Sequence, residues 1–452
     1  MRIAATILFF VFFGYSQAQQ KQLYDVGSLP QSLLLNPGVD FNKKKHFGIP
    51  LLSGISAFAG STGVTVHDIF KDDAATNINQ RIRELVFKLD YRDNFTVNEK
   101  MELLSFGWAR DNGDYISAGW YQEADAIVYW PEDGAILTYE GNKDYMGRRF
   151  SMDQGRLRGE VLSVFHIGLN KKVSDELRIG ARAKLYNSMA NFYSLDNTGQ
   201  FVTTETPDGE NFYRHDLIDA DFVLHTSGVD GFSPVSMLLS GNVGLGLDLG
   251  FTYNLDRQWK VTGSLLDIGF IMHTSDLKEH YLQGDYTTSG IELIFPAVFT
   301  EDDNRPYWVD FEQEFEDQVK YGNRPGGSYL TLRPLKLYGS LDYAWGEPVD
   351  CHCLNPEEKT YRNHAGVMVS AIKRPLYPYV GATLYYEAKL AGFLRGKVTY
   401  TADQYSLTNF GLLASANIKG FNFYIAVDNI LAAQNLAKAK TAGVQLGFQI
   451  VK

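Results

Sequence analysis

The side chains best suited to chemistry stand together at Cys351-His352-Cys353, with His364 eleven residues beyond Cys353. They include the only 2 cysteines of the 452-residue chain. Thiolates and imidazoles are the donors of zinc and copper sites. A bridge between the two thiols is a second state, because an oxidising envelope tends to pair cysteines. A Cys-x-Cys ring is small and strained, hence easily reduced. Unpaired thiols are the third state, and the residue types alone leave all three open. The sequence places this group in an exterior loop.

No other grouping has the spacing of an active site. His46, His67, His166, His215, His225, His273 and His280 are scattered, and none belongs to a zinc-protease helix motif. Serines are plentiful, but no spacing singles out a Ser–His pair with an orienting third group. Gly244, Gly246 and Gly250 lack the dinucleotide-loop spacing and fall within an expected strand. The reading is therefore no enzyme, no cofactor and no committed metal site. A net charge of −11, made more acidic by loss of Arg2 with a leader, argues against a nucleic-acid partner.

Three cations are placed more regularly. Arg178, Arg182 and Lys184 share the even face of Leu177–Leu185 with Gly180, while Leu177, Ile179, Ala181, Ala183 and Leu185 take the odd face. Facing a lumen, such cations either line a path for anions or hold an acidic plug. Plug-holding is the stronger reading, because lumenal charges in a plugged barrel need partners. The acidic run Asp310–Asp317, with Glu301-Asp302-Asp303, reads as a solvated loop.

The element that sorts these cations is a strand, since a period of two puts alternate residues on opposite faces. The period recurs at Val243–Tyr253, where Val243, Leu245, Leu247, Leu249, Phe251 and Tyr253 alternate with Gly244, Gly246, Asp248, Gly250 and Thr252. About 9–11 residues is what a tilted strand needs to cross a bilayer. Hairpins follow from the short polar turns at Asp111–Asp114, Asn170–Glu176, Asn254–Gln258 and Lys419-Gly420. Longer connections are expected at Asn187–Ala220, His273–Pro334 and Gly346–His364. Tight turns on one side and long loops on the other are the habit of outer-membrane barrels. Aromatic residues at 14 % suit interfacial girdles, and a mean hydropathy of −0.20 fits strands that are apolar on one face only. The last strand is expected at Gly443–Ile450.

The expected fold is all-β: a transmembrane antiparallel β-barrel of about 14 strands, within a range of about 12–16. Residues 1–18 read as a signal peptide, with Arg2, the apolar run Ala4–Phe13 and a cleavage site at Ser16-Gln17-Ala18. Residues 19–100 read as an irregular plug-like segment with a short helix over Asp72–Leu89, its apolar face formed by Ile78, Ile82, Leu85 and Val86. This stretch could also include the first strands. Its Pro and Gly density disfavours ladder pairing in the early part. Residues 101–452 read as the barrel, with long exterior loops.

The runs Leu35–Asp40 (LNPGVD), Gly48–Ile55 (GIPLLSGI), Glu102–Trp108 (ELLSFGW), Leu247–Ile271 and Gly420–Leu431 resemble a Bacteroidota outer-membrane family catalogued as a domain of unknown function. More distantly, Asn36-Pro37-Gly38 is similar to the Asn-Pro-Ala in the N-terminal hatch of long-chain fatty-acid channels and a related secretion-system barrel. That resemblance implies a 14-stranded barrel plugged from its N-terminus, with Asn36, Pro37 and Gly38 in the plug and Gly38 departing from the pattern.

The functional expectation is a plugged channel in the Gram-negative outer membrane, in contact with outer-membrane lipid and passing a hydrophobic or amphipathic small molecule. The alternative is an accessory subunit of a secretion or barrel-assembly machine, bound to an envelope protein complex. A channel predicts an apolar pocket between plug and wall, and a lateral gap or kink in a strand. An accessory subunit predicts a sealed lumen and stable co-purification with a larger complex.

Overall fold

The alternating segments become neighbouring strands of one sheet in the computed structural model, which describes residues 20–71, 77–206, 213–231, 234–288, 314–350 and 359–452. The expected signal peptide, the cysteine group and the acidic run up to residue 313 lie outside the described residues.

Among the described residues fourteen wall strands close into an antiparallel barrel. The first, β1, has two parts, Lys45–Gly48 and Ile55–Ser61. It is followed by β2 (Asn94–Ala109), β3 (Tyr115–Tyr129), β4 (Leu157–Lys172) and β5 (Leu177–Ser194). Then come β6 (Val243–Asn254), β7 (Trp259–His273), β8 (Lys336–Asp350) and β9 (Lys359–Ile372). The wall ends with β10 (Tyr379–Lys389), β11 (Leu394–Asp403), β12 (Asn409–Ile418), β13 (Phe421–Asp428) and β14 (Thr441–Val451). Closure is explicit in the register: β14 pairs both parts of β1, through Val451↔His46 and Leu446↔Ile55, and β1 pairs β2.

Period two decides which residues face lipid. On β6, Leu245, Leu247, Leu249 and Phe251 are exposed outward, whereas Asp248 is 0 % exposed inside. On β5, Ile179 and Leu185 face out while Arg182 is 1 % exposed. At Lys419-Gly420 both residues have positive φ (53° and 88°), the two-residue turn that matches strand twist. The Asn112-Gly113 turn likewise uses Gly113 at φ 84°.

The expected asymmetry of the two ends holds with one correction. The tight turns gather at the end where β1 begins and β14 finishes, the periplasmic end in this architecture. The β8–β9 connection emerges there too, beside the Asn254–Gln258 turn: Ala344 N–H donates to Gln258 O at 2.8 Å. Cys351, His352 and Cys353 themselves lie outside the described residues; the strand ends that flank them, Asp350 and Lys359, are register partners. Most of Gly346–His364 is strand, because pairing resumes after a bulge and continues through Pro348↔Tyr361 to Asp350↔Lys359.

At the exterior end, strands Thr198–Glu205, Tyr213–Ser227, Leu277–Thr288 and Lys320–Pro325 pair in that order and extend the sheet beyond the wall. The expected early helix is Ile78–Lys88, capped by Asn77, whose side chain accepts from Gln80 N–H at 2.8 Å. It also lies at this end, where Val86 and Ile82 pack with Ile136 and Phe150 while Ile78 is exposed. The segment expected at 19–100 thus divides. Only its first part, to residue 44, occupies the lumen, and the wall begins at Lys45.

The core of the molecule is the lumenal segment against the wall. Leu23, Tyr24, Val26, Leu29 and Leu35 pack on Tyr338, Met368, Tyr385, Leu413 and Tyr424. Leu34 packs on Tyr121, Leu162, Tyr186 and Ile271. Leu33, Val39 and Phe41 pack on Tyr115. Leu247→Arg, which puts a charge on the lipid face near mid-strand, is expected to cost about 2–4 kcal/mol. The check is the folded fraction by heat-modifiable gel mobility, with Thr252→Ser as the comparison.

Candidate functional site

The seam between lumenal segment and wall is built on missing side chains. Gly180 of β5 and Gly250 of β6 are register partners, and together they leave a notch in the inner face. Asn36-Pro37-Gly38 lies in that notch. A Cβ on Gly180 would come within 2.0 Å of the Pro37 carbonyl carbon, and one on Gly250 within 2.1 Å of Asn36 Oδ1. Asn36 Nδ2 donates to Phe251 O at 3.1 Å, and its Oδ1 accepts from Gly38 N–H at 2.9 Å. Asn170 Nδ2 donates to Pro37 O and Val39 O at 2.8 and 2.7 Å. Gly38 has its own reason to be glycine: a Cβ there would meet Gly250 O at 2.5 Å.

The three expected lumenal cations are brought to this region in different roles. Arg178 Nε lies 3.0 Å from Asp40 Oδ1, and its Nη2 donates to Asn42 Oδ1 at 3.0 Å. Arg182 donates to Leu33 O in the short helix Ser32–Leu35, and it faces Asp248 at 3.4 Å. Lys184 binds the wall instead, pairing with Asp248 at 2.8 Å and Asp267 at 2.6 Å. From there the network runs through Lys336, which touches Asp267 (2.8 Å) and Glu123 (3.2 Å), to Arg333, which pairs with Glu123 and Glu160.

These acidic partners were not singled out in the sequence. Asp248 carried a signal, as the one charged residue on the inner face of Val243–Tyr253. Arg333 carried none, because it fell within the run His273–Pro334 expected to be connection. A second set of contacts holds the start of the lumenal segment: Lys260 with Asp25 at 2.9 Å, Lys21 with Asp403 at 3.1 Å, and Lys397 Nζ donating to Tyr24 O at 2.8 Å.

On the exterior side of Leu34 and Leu35 a narrow chamber of about 50 Å³ remains. Phe58, Leu266 and Ile372 give it apolar walls, and its charged lining sets Lys100, Lys336 and Arg374 among Glu123, Asp125 and Asp267. The expected pocket between plug and wall is thus small and amphipathic. Two hollows of about 610 and 510 Å³ are on the lipid-facing side, bordered by Ile179, Phe251 and Leu337 in one case and Phe106, Trp120 and Leu185 in the other, and a third of about 520 Å³ opens at the periplasmic mouth between Lys43 and the wall.

A break in a wall strand is present at 49–54 of β1. Pro50, Leu51 and Leu52 turn outward, with Leu51 at φ 65°. The ladder is restored across the break, since Phe448 N–H donates to Leu52 O (2.8 Å) and Glu102 N–H to Gly54 O (2.7 Å). From inside, Gln31 Nε2 donates to Ser53 O at 2.8 Å.

Of the proposed metal-ligand group, only His364 lies among the described residues. Its Nδ1 is 2.9 Å from Asp342 Oδ2, and Asp342 also accepts from Tyr385 Oη at 2.9 Å. This ties His364 to a lumenal carboxylate. Among the described residues no three His, Cys, Asp or Glu side chains gather in a metal-binding geometry.

A closed wall, an apolar outer face and a charged, filled lumen define an integral outer-membrane β-barrel. The chain belongs to the family of unknown function DUF5723, whose model matches residues 37–428. No curated protein matches it. Among solved structures it is similar to a Pseudomonas aeruginosa FadL homologue, at 9 % identity over 93 % of each chain with a TM-score of 0.45. It is also similar to the CymD monoaromatic hydrocarbon channel (10 % identity, 96 % of each chain, TM-score 0.38). A third is the P. putida toluene transporter TodX (10 % identity, 94 % of this chain and 91 % of that one, TM-score 0.37).

Two substitutions test the seam. Arg182→Glu leaves Leu33 O without its donor and sets a carboxylate beside Asp248. A loss of about 3–5 kcal/mol is expected for breaking such a buried pair. Gly250→Val fills the notch and should displace Asn36-Pro37 while leaving the wall closed. Tryptic cleavage at Lys21, which is 4 % exposed in the intact protein, reads the outcome. Resistance at Lys21 equal to the parent in both variants would show that the seam does not hold the segment.

Proposed function

We propose that this protein is a non-enzymatic, plugged outer-membrane channel for hydrophobic or amphipathic solutes, shut at rest. In this reading residues 20–44 are the plug and Asn36-Pro37-Gly38 is its seat. The observation that carries it is the chamber above Leu34 and Leu35, where apolar Phe58, Leu266 and Ile372 stand next to Lys100 and to Lys336 and Arg374, the last two paired with Glu123, Asp267 and Asp125 of the same lining. At about 50 Å³ the chamber is closed to a solute at rest; enlarged by movement of the plug, it would offer apolar walls to a solute's body and Lys100 to an anionic end. Lys100, whose ammonium is 4.3 Å from the centre of the Tyr121 ring, is the residue assigned to the anionic end. The plug is held by polar latches that exchange with water or solute, whereas the wall ladder is not exchangeable at comparable cost.

A second reading, an accessory subunit of an envelope machine, draws support from the exterior sheet. Tyr213–Ser227 and Leu277–Thr288 extend past the wall and offer a broad surface to a protein partner. The narrow lumen is compatible with it as well.

Planar-bilayer conductance and binding of a fluorescent acyl carboxylate separate the two. The channel reading expects a silent parent protein, openings in an Asn36→Ala/Arg178→Gln variant, and saturable probe binding that weakens about tenfold in Lys100→Met, for one lost charge-assisted contact. A silent latch variant, no probe binding, and a stoichiometric protein retained in mild detergent would transfer the assignment to the accessory role.

A further inference from the structure

On the lipid-facing side the hollow of about 610 Å³ crosses β4 to β8 toward the periplasmic end of the wall. Small residues make its floor: Ala181 of β5, which is exposed, and Gly263 of β7, register partner of the outward Phe251. Leu169, Ile179, Leu249, Leu265 and Leu337 stand around them. The Phe251 ring lies across Gly263, where a Cβ would come within 2.5 Å of Phe251 Cε1. The second hollow, of about 510 Å³, adjoins the first along β4 and β5. Ile167 and Ala183 line the second, and Leu169 and Ala181, two residues on toward the periplasm or before them in the returning strand, line the first.

One cation stands at the periplasmic edge of this apolar trough. Period two carries the outward row of Ile167 and Leu169 on to Lys171, which is exposed and lines the larger hollow. Among the described residues Lys171 forms no ion pair, and no Asp or Glu lines the hollow with it. Two carboxylates of the adjoining turns are engaged elsewhere. Asp175 lies 2.7 Å from Lys172 Nζ, while Asp114 accepts from Lys172 N–H at 3.1 Å and from Asn112 Nδ2 at 2.8 Å.

Neighbouring aromatics mark the depth of that lysine. Beyond Phe251 and Gly263, toward the periplasm, come Tyr253 and Trp259, 42 % and 40 % exposed. Trp259 packs on Tyr343 with ring centres 4.8 Å apart. Exposed aromatics at a barrel rim sit at headgroup depth. Behind the hollow the wall is a single backbone layer: Gly180 and Gly250 line it from outside and carry Asn36-Pro37-Gly38 on the inside.

We infer that this trough binds one phospholipid of the inner leaflet, its phosphate on Lys171 and an acyl chain over Ala181 and Gly263. The bilayer covers this face, so the occupant comes from the bilayer. An apolar hollow that ends in an unpaired cation at headgroup depth repeats the order of groups in a phospholipid, anion first and hydrocarbon beyond. A chain lying in the hollow touches Leu169, Leu249 and Phe251 on its flanks as well as the floor, more contact than a level wall offers. Occupancy also braces the two strands that carry Asn36-Pro37-Gly38, because the chain lies on the reverse of Gly180 and Gly250.

The test uses the full chain, stripped of lipid in a neutral detergent. Native mass spectrometry titrates dipalmitoyl phosphatidylglycerol and, separately, dipalmitoylglycerol, with thermal unfolding followed in parallel. Retention of one phosphatidylglycerol per chain is expected, with a raised unfolding midpoint, and weaker retention of dipalmitoylglycerol. Affinity for phosphatidylglycerol should fall about fivefold in Lys171→Gln, for one lysine against a lipid anion, and hold at the parent value in Lys438→Gln at the exterior end. Ala181→Phe fills the floor from the lipid side without touching Lys171. It should abolish retention while gel mobility shows a folded barrel. Unchanged affinity in either the Lys171 or the Ala181 variant overturns the inference. Equal retention of the two lipids also overturns it and makes the hollow a site for apolar solutes. A lipid-free dimer does so too, by giving this face to a second copy of the chain.

Discussion

Packing apolar chain into a charged lumen removes the water that would otherwise solvate every ion on the inner face. Each charge then needs a partner of its own. Asp248, fully buried, shows how tightly this constrains the rest: it meets Arg182 and Lys184, and it accepts the backbone N–H of Asp267 at 2.8 Å. Asp267 in turn binds Lys184 and Lys336, and Lys336 leads to Glu123 and Arg333. Deleting one member strands the others in low dielectric, which costs more than the net worth of any single pair. The pairing also links strands far apart in sequence, so wall register and lumenal segment specify each other.

The lumenal segment is fixed by two kinds of contact with different consequences. Its leucines and Tyr24 bury apolar surface against wall aromatics, which supplies most of the attraction but little direction. Direction comes from the glycine notch and the polar latches. Gly180 and Gly250 admit one backbone shape, and Arg178, Arg182 and Asn170 bind its carbonyls and side chains at set points. Latches of this kind release by exchanging partners, while the wall would have to break its ladder to move. Gln31 ties the short outward excursion at 49–54 to the segment from inside.

The two ends of the barrel have diverged accordingly. The exterior end carries helices and added strands. At the periplasmic end the described connections are tight turns.

Much of this architecture was legible in the sequence, because period two is a local property. Neighbouring residues alone reveal that Leu245, Leu247 and Leu249 face one way and Asp248 the other. The same alternation put Arg178, Arg182 and Lys184 inside, and the density of Pro and Gly marked Asn36-Pro37-Gly38 as something other than wall. What the sequence could not determine depends on distances along the chain that no local pattern encodes. Extending the pairing past Trp345 to Asp350↔Lys359 required a bulge that no local pattern announces. Assigning Ile78–Lys88 to the exterior end required knowing that β1 had already crossed. Matching Lys184 to Asp267, or Arg333 to Glu160, required the stagger between strands, since a shift of one residue would turn each of these charges toward lipid. Faces were decided by adjacent residues, and partners by the closure of the barrel around its own N-terminal segment.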